Sequence, residues 1–320
     1  MTEQQKVKEI EKYLGINHIL AKNVFFQVQT EFDYLQKAKI IIQDKPKPFV
    51  KWVGGKRQLL QQFKDLGLYP PPFDSLTGRY FEPFVGGGAV FFDLLPKKAI
   101  LSDMNADLVI TYNVIKNDVE KLIESLRRHK YDREYFLKIR SKDSKKLSNI
   151  GIASRFIYLN RTAFNGMYRV NSRGEFNVPF GKYSNPIICD AENLRKVSKA
   201  LKGVTIKHKD YKEVLKTAKK GDFVYFDPPY HPLSKTATFT AYTTSGFGEK
   251  EQIELRDTYL ELHKRGCFVM LSNSDARFIN EIYSKIQHFG IKINKVQAAR
   301  AINSKAVGRG RINEVLITNY

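Results

Sequence analysis

Only two cysteines occur among the 320 residues, Cys189 and Cys267, too few for the disulfide framework that staples small secreted domains. Cys267 sits in the apolar run GCFVML and reads as an inert core residue. Six histidines are scattered, without CxxC or HxxxH spacing, so no metal site is expected. No run of about 18 apolar residues is available to span a bilayer. The opening MTEQQKVKEIEKY lacks the apolar centre of a secretory signal, and a cytoplasmic chain without membrane contact is expected. Acids are scarce too: 33 Asp and Glu stand against 54 Lys and Arg, a net charge of +21. Such a field draws polyanions. A basic surface can also serve solubility, so the residues interleaved with the charge must decide.

Two phosphate-binding motifs are missing as well. Residues 49–60, FVKWVGGKRQLL, invite a phosphate-loop reading, but GxxxxGK(S/T) fails twice, with Val50 at the first glycine and Arg57 at the hydroxyl position. A nucleotide triphosphatase is excluded. What is there is a tight glycine turn feeding a helix from Lys56 onward, with Trp52, the chain's single tryptophan, just before it. A helix N-terminus beside such a turn suits an anionic group; a plain turn with a structural Trp fits equally. Residues 79–95, RYFEPFVGGGAVFFDLL, have the form strand, acid, glycine turn, helix, without the GxGxxG fingerprint. Gly86, Gly87 and Gly88 permit positive φ and a close backbone approach. About 20 residues past the start of that strand, residues 99–103 read as a second strand ending in Asp103, placed to accept hydrogen bonds from ribose hydroxyls. No basic residue lies in the glycine turn, so the pair predicts a nucleoside ligand carrying little phosphate.

The rest of the chain is organised around residues 222–230, DFVYFDPPY. An apolar run reads as a buried strand, and it stops at Asp227-Pro228-Pro229-Tyr230, where two prolines forbid further pairing. A carboxylate, two rigid carbonyls and a ring thus sit at a strand's C-terminal end, where open α/β sheets bind ligands. Residues 106–128 carry apolar positions at helical spacing and predict a crossover helix, or two. Residues 127–146 are highly charged and read as helical. Residues 155–183 break the alternation of strand and helix: five basic residues and seven aromatics share the stretch with one acid, and YRVNSRGEF at its centre reads as a hairpin. Arginines for phosphates and base edges, with flat groups for unstacked bases, point to nucleic acid. Residues 204–208 predict a third strand, with Asp210 and Tyr211 at its tip, and Lys219-Lys220-Gly221 a closing helix end. Residues 249–265 predict an amphipathic helix, and 267–272, 291–296 and 314–320 further strands. The loop 303–311, NSKAVGRGR, offers Lys305 and Arg309 to phosphates or to solvent. Residues 1–45 form a helical extension ahead of a proline-rich linker, either a DNA-binding helical unit or a packing appendage.

With the glycine turn, the second-strand acid and DPPY in place, the chain from about residue 49 to 320 resembles the DNA adenine-N6 methyltransferases of the Dam/DpnM type. The blocks FVKWVGGKRQLL, FEPFVGGG, SDMNADL, FNGMYRVNSRGEFNVPFGKY and DFVYFDPPY carry the resemblance. It implies an α/β fold, a Rossmann-like S-adenosylmethionine-dependent methyltransferase sheet with an inserted target-recognition domain containing a β-hairpin. The implied division is 46–114 and 200–320 for catalysis and 115–199 for target recognition. S-adenosylmethionine is the implied cofactor, without a metal. Trp52, Lys56, Phe84, Gly86, Gly88, Asp103, Met104, Asp210, Tyr211 and Asp227 are implied to bind it. Asp227, Pro228, Pro229 and Tyr230 match the catalytic corner that receives a flipped adenine. Asn165, Arg169, Asn171, Arg173 and Lys182, with Lys305 and Arg309 of the later loop, are the candidate contacts to double-stranded DNA. GATC is the implied target. Val170 departs from the pattern, since the Dam enzyme has an intercalating aromatic residue there. A partner restriction endonuclease, and a monomer or weak dimer, are further expectations. Methylation of RNA or single-stranded DNA, and a non-catalytic DNA-binding regulator, are the competing readings.

Overall fold

The computed structural model describes residues 2–14, 45–233, 247–299 and 311–320, with positions 21, 22, 24, 25, 28 and 33–36. Seven strands form one sheet: β1 (Tyr80–Glu82), β2 (Ala99–Asp103), β3 (Thr205–His208), β4 (Phe223–Phe226), β5 (Phe268–Ser274), β6 (Lys292–Ala299) and β7 (Arg311–Thr318), in the order β3-β2-β1-β4-β5-β7-β6. The first five are parallel, and β7 runs antiparallel between β5 and β6. The central strands YFE and FVYF are buried throughout, as parallel strands covered on both faces must be. Strand periodicity divides their side chains between two cores. Tyr80, Phe223, Tyr225 and Met270 face one layer; Phe81, Val224, Phe226 and Leu271 face the other. β3, at the edge, exposes most of its TIKH sequence.

The first layer contains α4 (Ala106–Arg127), α6 (Asn149–Thr162) and α7 (Ala191–Ala200); the second contains α8 (Glu249–Lys264) and α9 (Arg277–Ser284). Shorter helices are α1 (Glu3–Leu14), α2 (Leu60–Asp65), α3 (Ala89–Leu94) and α5 (Arg133–Arg140). The expectation of one crossover helix or two resolves into a single run kinked at Asp118, whose φ of −135° is not helical. Asn117-Asp118 supplies side chains that compete for backbone groups and so favour such a break. α5 begins where Asp132 accepts a hydrogen bond from the Tyr135 amide.

Three expectations are corrected. Residues 155–162 belong to α6, not to a protruding basic segment. Ser148 caps that helix, and Ile152, Phe156 and Leu159 recur on one buried face. Arg155 is 6% exposed and donates to the carbonyls of Ile139 and Arg140, closing the C-terminal end of α5, and Arg161 donates to the Phe49 carbonyl. The segment ahead of β4 is a 3-10 turn over Tyr211–Lys216, not an α-helix. The helix expected from Lys56 begins with a 3-10 turn, Lys56–Gln58, before α2.

The order β3-β2-β1-β4-β5 reverses direction between β1 and β4, the switch point beyond whose strand ends open α/β sheets bind ligands. The glycine turn after β1 and the DPPY corner after β4 flank it.

Candidate functional site

On the β1 side, the Gly86 amide donates to Asp103 Oδ2 at 3.0 Å, the Val85 amide to the Ser102 carbonyl, and the Tyr112 hydroxyl to the Gly86 carbonyl. Gly86 and Gly88 both have left-handed backbones, φ +46° and +69°. A Cβ on Gly86 would stand 2.5 Å from Trp52 Nε1, and one on Gly88 2.7 Å from the Tyr112 hydroxyl. The close approach anticipated from the glycines is thus made first by the protein's own aromatic rings. Trp52 is stacked 6.4 Å from Phe156 and 6.5 Å from Tyr168. Its segment is tied down by Asn160, fully buried on α6. That side-chain oxygen accepts from the Lys51 amide at 2.8 Å, while its nitrogen donates to the carbonyls of Lys51 and Gly166.

Asp103, at the tip of β2, also accepts from the Asn105 amide at 2.9 Å. Burial raises its carboxyl above the usual range, with the backbone donors acting in the opposite direction. Neighbouring β3 brings His208 opposite Asp103, where a ring nitrogen meets the Met104 carbonyl at 3.0 Å; the Met104 side chain is exposed. Asp210 is exposed and caps the turn that follows by accepting from the Lys212 amide. Tyr211 is buried, its ring stacked on Phe84 at 5.3 Å and its hydroxyl without a hydrogen-bond partner.

On the β4 side, Lys56 reaches the DPPY corner. Its ammonium is 2.8 Å from Asp227 Oδ1 and 4.8 Å from the centre of the Tyr230 ring, and it donates to the Gly54 carbonyl, with the side chain 2% exposed. Burial pushes the Asp227 carboxyl up to about 6 even though Lys56 pulls it down. The Tyr230 hydroxyl donates to Glu314 Oε2 at 2.7 Å. Two fully buried amides hold the corner's backbone: Gln252 donates to the Pro229 carbonyl at 2.9 Å, and Asn273 donates to Gln252 while accepting from the His231 amide. Among the described residues nothing donates to the Pro228 carbonyl. The corner therefore presents one carboxylate and one open carbonyl, rigidly spaced by proline, beside an aromatic ring. Two acceptors so arranged suit an exocyclic amine with two hydrogens.

Gln252, Asn273 and Glu314 were not anticipated. The signal available was a polar residue at an apolar position: Gln252 on the buried face of α8 with Leu255, Tyr259 and Leu262, and Glu314 in a strand otherwise buried from Val315 to Ile317. The hairpin of residues 169–177 is present, with Val170 paired antiparallel to Phe176. The Asn171 side chain builds its turn, accepting from the amides of Arg173 and Glu175 and donating to the Glu175 carboxylate. Arg169 bonds Asn177 Oδ1 at 2.8 Å, and Arg169, Arg173 and Lys182 are exposed. Asn165 is exposed as well, with φ +54° at the turn that leaves α6. Lys305 and Arg309 lie outside the described residues. Among the described residues no group of three or more His, Cys, Asp or Glu could hold a metal ion.

Comparison with known proteins agrees with this site. The family model of the D12 class N6 adenine-specific DNA methyltransferases matches residues 52–302. A type II methyltransferase of Lactococcus lactis subsp. cremoris is 44% identical over 294 residues, 89% of this chain and 98% of that protein. A type II methyltransferase of Methanocaldococcus jannaschii is 44% identical over 292 residues, 86% and 99% of the two chains. The DNA adenine methylase of Escherichia coli is 34% identical over 276 residues, 85% and 95%. With the family model matching most of the chain and relatives covered almost end to end, the chain belongs to the D12 class of N6 adenine-specific DNA methyltransferases.

Proposed function

We propose that this enzyme methylates N6 of an adenine flipped out of duplex DNA, within GATC, with S-adenosylmethionine as donor. The observation that carries the reading is the corner at the switch point: the Asp227 carboxylate, paired with Lys56, follows β4 with Pro228 and with Tyr230 alongside, next to the strand that leads into the glycine turn. Adenine N6 is a poor nucleophile because its lone pair is delocalised into the ring. Asp227 and the Pro228 carbonyl accept its two hydrogens, which favours a pyramidal nitrogen with its lone pair directed at the methyl group. Asp227 also stabilises the cation that develops on N6 as the N–C bond forms and the methyl's bond to sulfur breaks, and it accepts, directly or through water, the proton that N6 then loses. Tyr230 stacks on the extruded base, offsetting part of an unstacking cost of a few kcal/mol.

The cofactor fits the other flank of the switch point. Asp103, with a lone pair left beyond its three backbone donors Gly86, Met104 and Asn105, accepts from ribose hydroxyls; Met104, Asp210, Phe84 and Tyr211 line the neighbouring strand tips; Trp52, Gly86 and Gly88 form the floor, and Lys56 supplies a cation. When bound, S-adenosylmethionine supplies an electrophilic methyl on a sulfonium and needs no metal for the transfer. Asn165, Arg169, Arg173 and Lys182, on one exposed stretch, contact the duplex, with Lys305 and Arg309 as further phosphate contacts; Asn171 acts by shaping the hairpin. Residues 115–199 form the target-recognition unit and 46–114 with 200–320 the catalytic one. A separate hydrophobic cluster of Phe136, Ile139, Tyr158, Phe176 and Val178 supports a distinct unit around the hairpin, while Ile115, Leu122, Phe156 and Val197 of the same range pack with the sheet's core. We place the enzyme in the cytoplasm as a monomer or weak dimer; the two relatives named type II methyltransferases support a modification role beside an endonuclease.

The test is transfer of labelled methyl from S-adenosylmethionine to matched oligonucleotides. Duplex GATC should be methylated, and single strands, RNA and duplexes with a changed base should be poor substrates. Asp227→Asn should stay folded, with a lowered melting temperature because the buried Lys56 ammonium loses its carboxylate, and lose about 100- to 1,000-fold in kcat; turnover within threefold of wild type would remove Asp227 from this role.

A further inference from the structure

We infer that Glu314 is a positioning residue for methyl transfer, fixing the plane of the Tyr230 ring against the target base. The inference rests on the reading of the 227–230 corner proposed above. Tyr230 follows two prolines that fix its backbone, but two side-chain torsions stay free unless something holds the hydroxyl. Glu314 does so at 2.7 Å, the length of a charge-assisted O–H···O bond, the stronger kind.

The source of that acceptor is as informative as its length. Glu314 lies on β7, paired in register with Ser274 of β5 on one side and with Val296 of β6 on the other. A strand hydrogen-bonded on both sides is among the least mobile platforms in the fold. The residue is 9% exposed and is followed by three buried apolar residues, Val315, Leu316 and Ile317. A carboxylate in such a strand is costly unless a donor meets it, and among the described residues its side-chain donor is Tyr230. The second restraint on the ring is the Lys56 ammonium, 4.8 Å from its centre, a cation–π distance. One contact holds the hydroxyl, the other covers a face, and the opposite face is left to a base.

Glu314 touches no reacting atom, but its charge also raises the Asp227 carboxyl, so the test must separate positioning of the ring from that electrostatic effect, by a pH profile of kcat, and from support of the fold. Glu314→Ala, Glu314→Gln, Tyr230→Phe and the Tyr230→Phe/Glu314→Ala double variant are compared in the full chain. The measurements are kcat as a function of pH, KM for S-adenosylmethionine, melting temperature, and the fluorescence of 2-aminopurine placed at the target adenine of a bound duplex. Loss of a hydrogen bond to a charged group predicts a fall in kcat of about 10- to 100-fold for Glu314→Ala, with KM for the cofactor unchanged. Glu314→Gln, which keeps an acceptor oxygen, should recover to within about threefold of wild type. The double variant should be no slower than the slower single variant, because both changes remove the same bond. The aminopurine signal should be brighter in Glu314→Ala than in wild type, because a ring no longer held parallel quenches it less. Wild-type kcat in Glu314→Ala, multiplicative losses in the double variant, or a lowered melting temperature with an unchanged aminopurine signal would each overturn the inference. Failure of the corner itself would appear separately, as normal turnover of Asp227→Asn.

Discussion

Replacing Lys56 by methionine should move the acid limb of the enzyme's pH profile upward. The Lys56 ammonium lies 2.8 Å from Asp227 Oδ1, both groups are largely withdrawn from water, and burial pushes the Asp227 carboxyl up to about 6. Burial alone raises a carboxyl; the neighbouring cation is what limits the rise. An opposite charge at this range lowers a carboxyl pKa by about 1–3 units, so its removal should carry Asp227 to roughly 7–9, a change of about 1.4–4 kcal/mol between its two protonation states. The sign follows from the role proposed for Asp227. The ionised form accepts from the adenine amine, so activity is lost as pH falls through the carboxyl's pKa. Wild type should lose activity near pH 6. The variant should lose it one to three units higher, and at pH 7 no more than about half of its molecules would carry the carboxylate. The profile to measure is kcat/KM for S-adenosylmethionine between pH 5 and 9, because that ratio titrates the cofactor-free enzyme. A variant whose acid limb stays at the wild-type position, whatever its plateau, would show that Lys56 serves the cofactor alone.

Gly86→Ala combines a left-handed backbone with a Cβ 2.5 Å from Trp52 Nε1; it should lower stability by about 1–3 kcal/mol and weaken cofactor binding, read by thermal denaturation and calorimetric titration. Arg173→Ala, exposed on the hairpin, should lower the ratio of methylation rates on matched and singly mismatched duplexes by about 5- to 100-fold while leaving cofactor affinity unchanged. Equal ratios in variant and wild type would take Arg173 out of sequence reading.

What could be read from the chain was what local chemistry encodes. The run FVYF is a strand because nothing polar interrupts it. Gly86-Gly87-Gly88 is a turn because only glycine tolerates its backbone, and two prolines end β4 whatever surrounds them. The basic and aromatic stretch misled in its first half. Its composition looks like a binding surface, yet Ile152, Phe156 and Leu159 have helical spacing, and Arg155 is spent on the carbonyls that end α5. Residues that complete the corner were hidden for a different reason. Glu314 meets Tyr230 across 84 positions of sequence and Gln252 meets Pro229 across 23. No spacing rule records a contact that exists only once the sheet has placed β7 and α8 beside β4.

Asn160 has a consequence that reaches beyond packing. One buried amide holds both backbone groups of Lys51, next to Trp52 on the cofactor side, and the carbonyl of Gly166, at the entrance to the DNA-reading stretch. Those two segments are riveted together, so a shift of either drags the other. Under the binding roles proposed above, any coupling carried by this joint must be mutual: the factor by which bound cofactor changes the affinity for duplex is the factor by which bound duplex changes the affinity for cofactor.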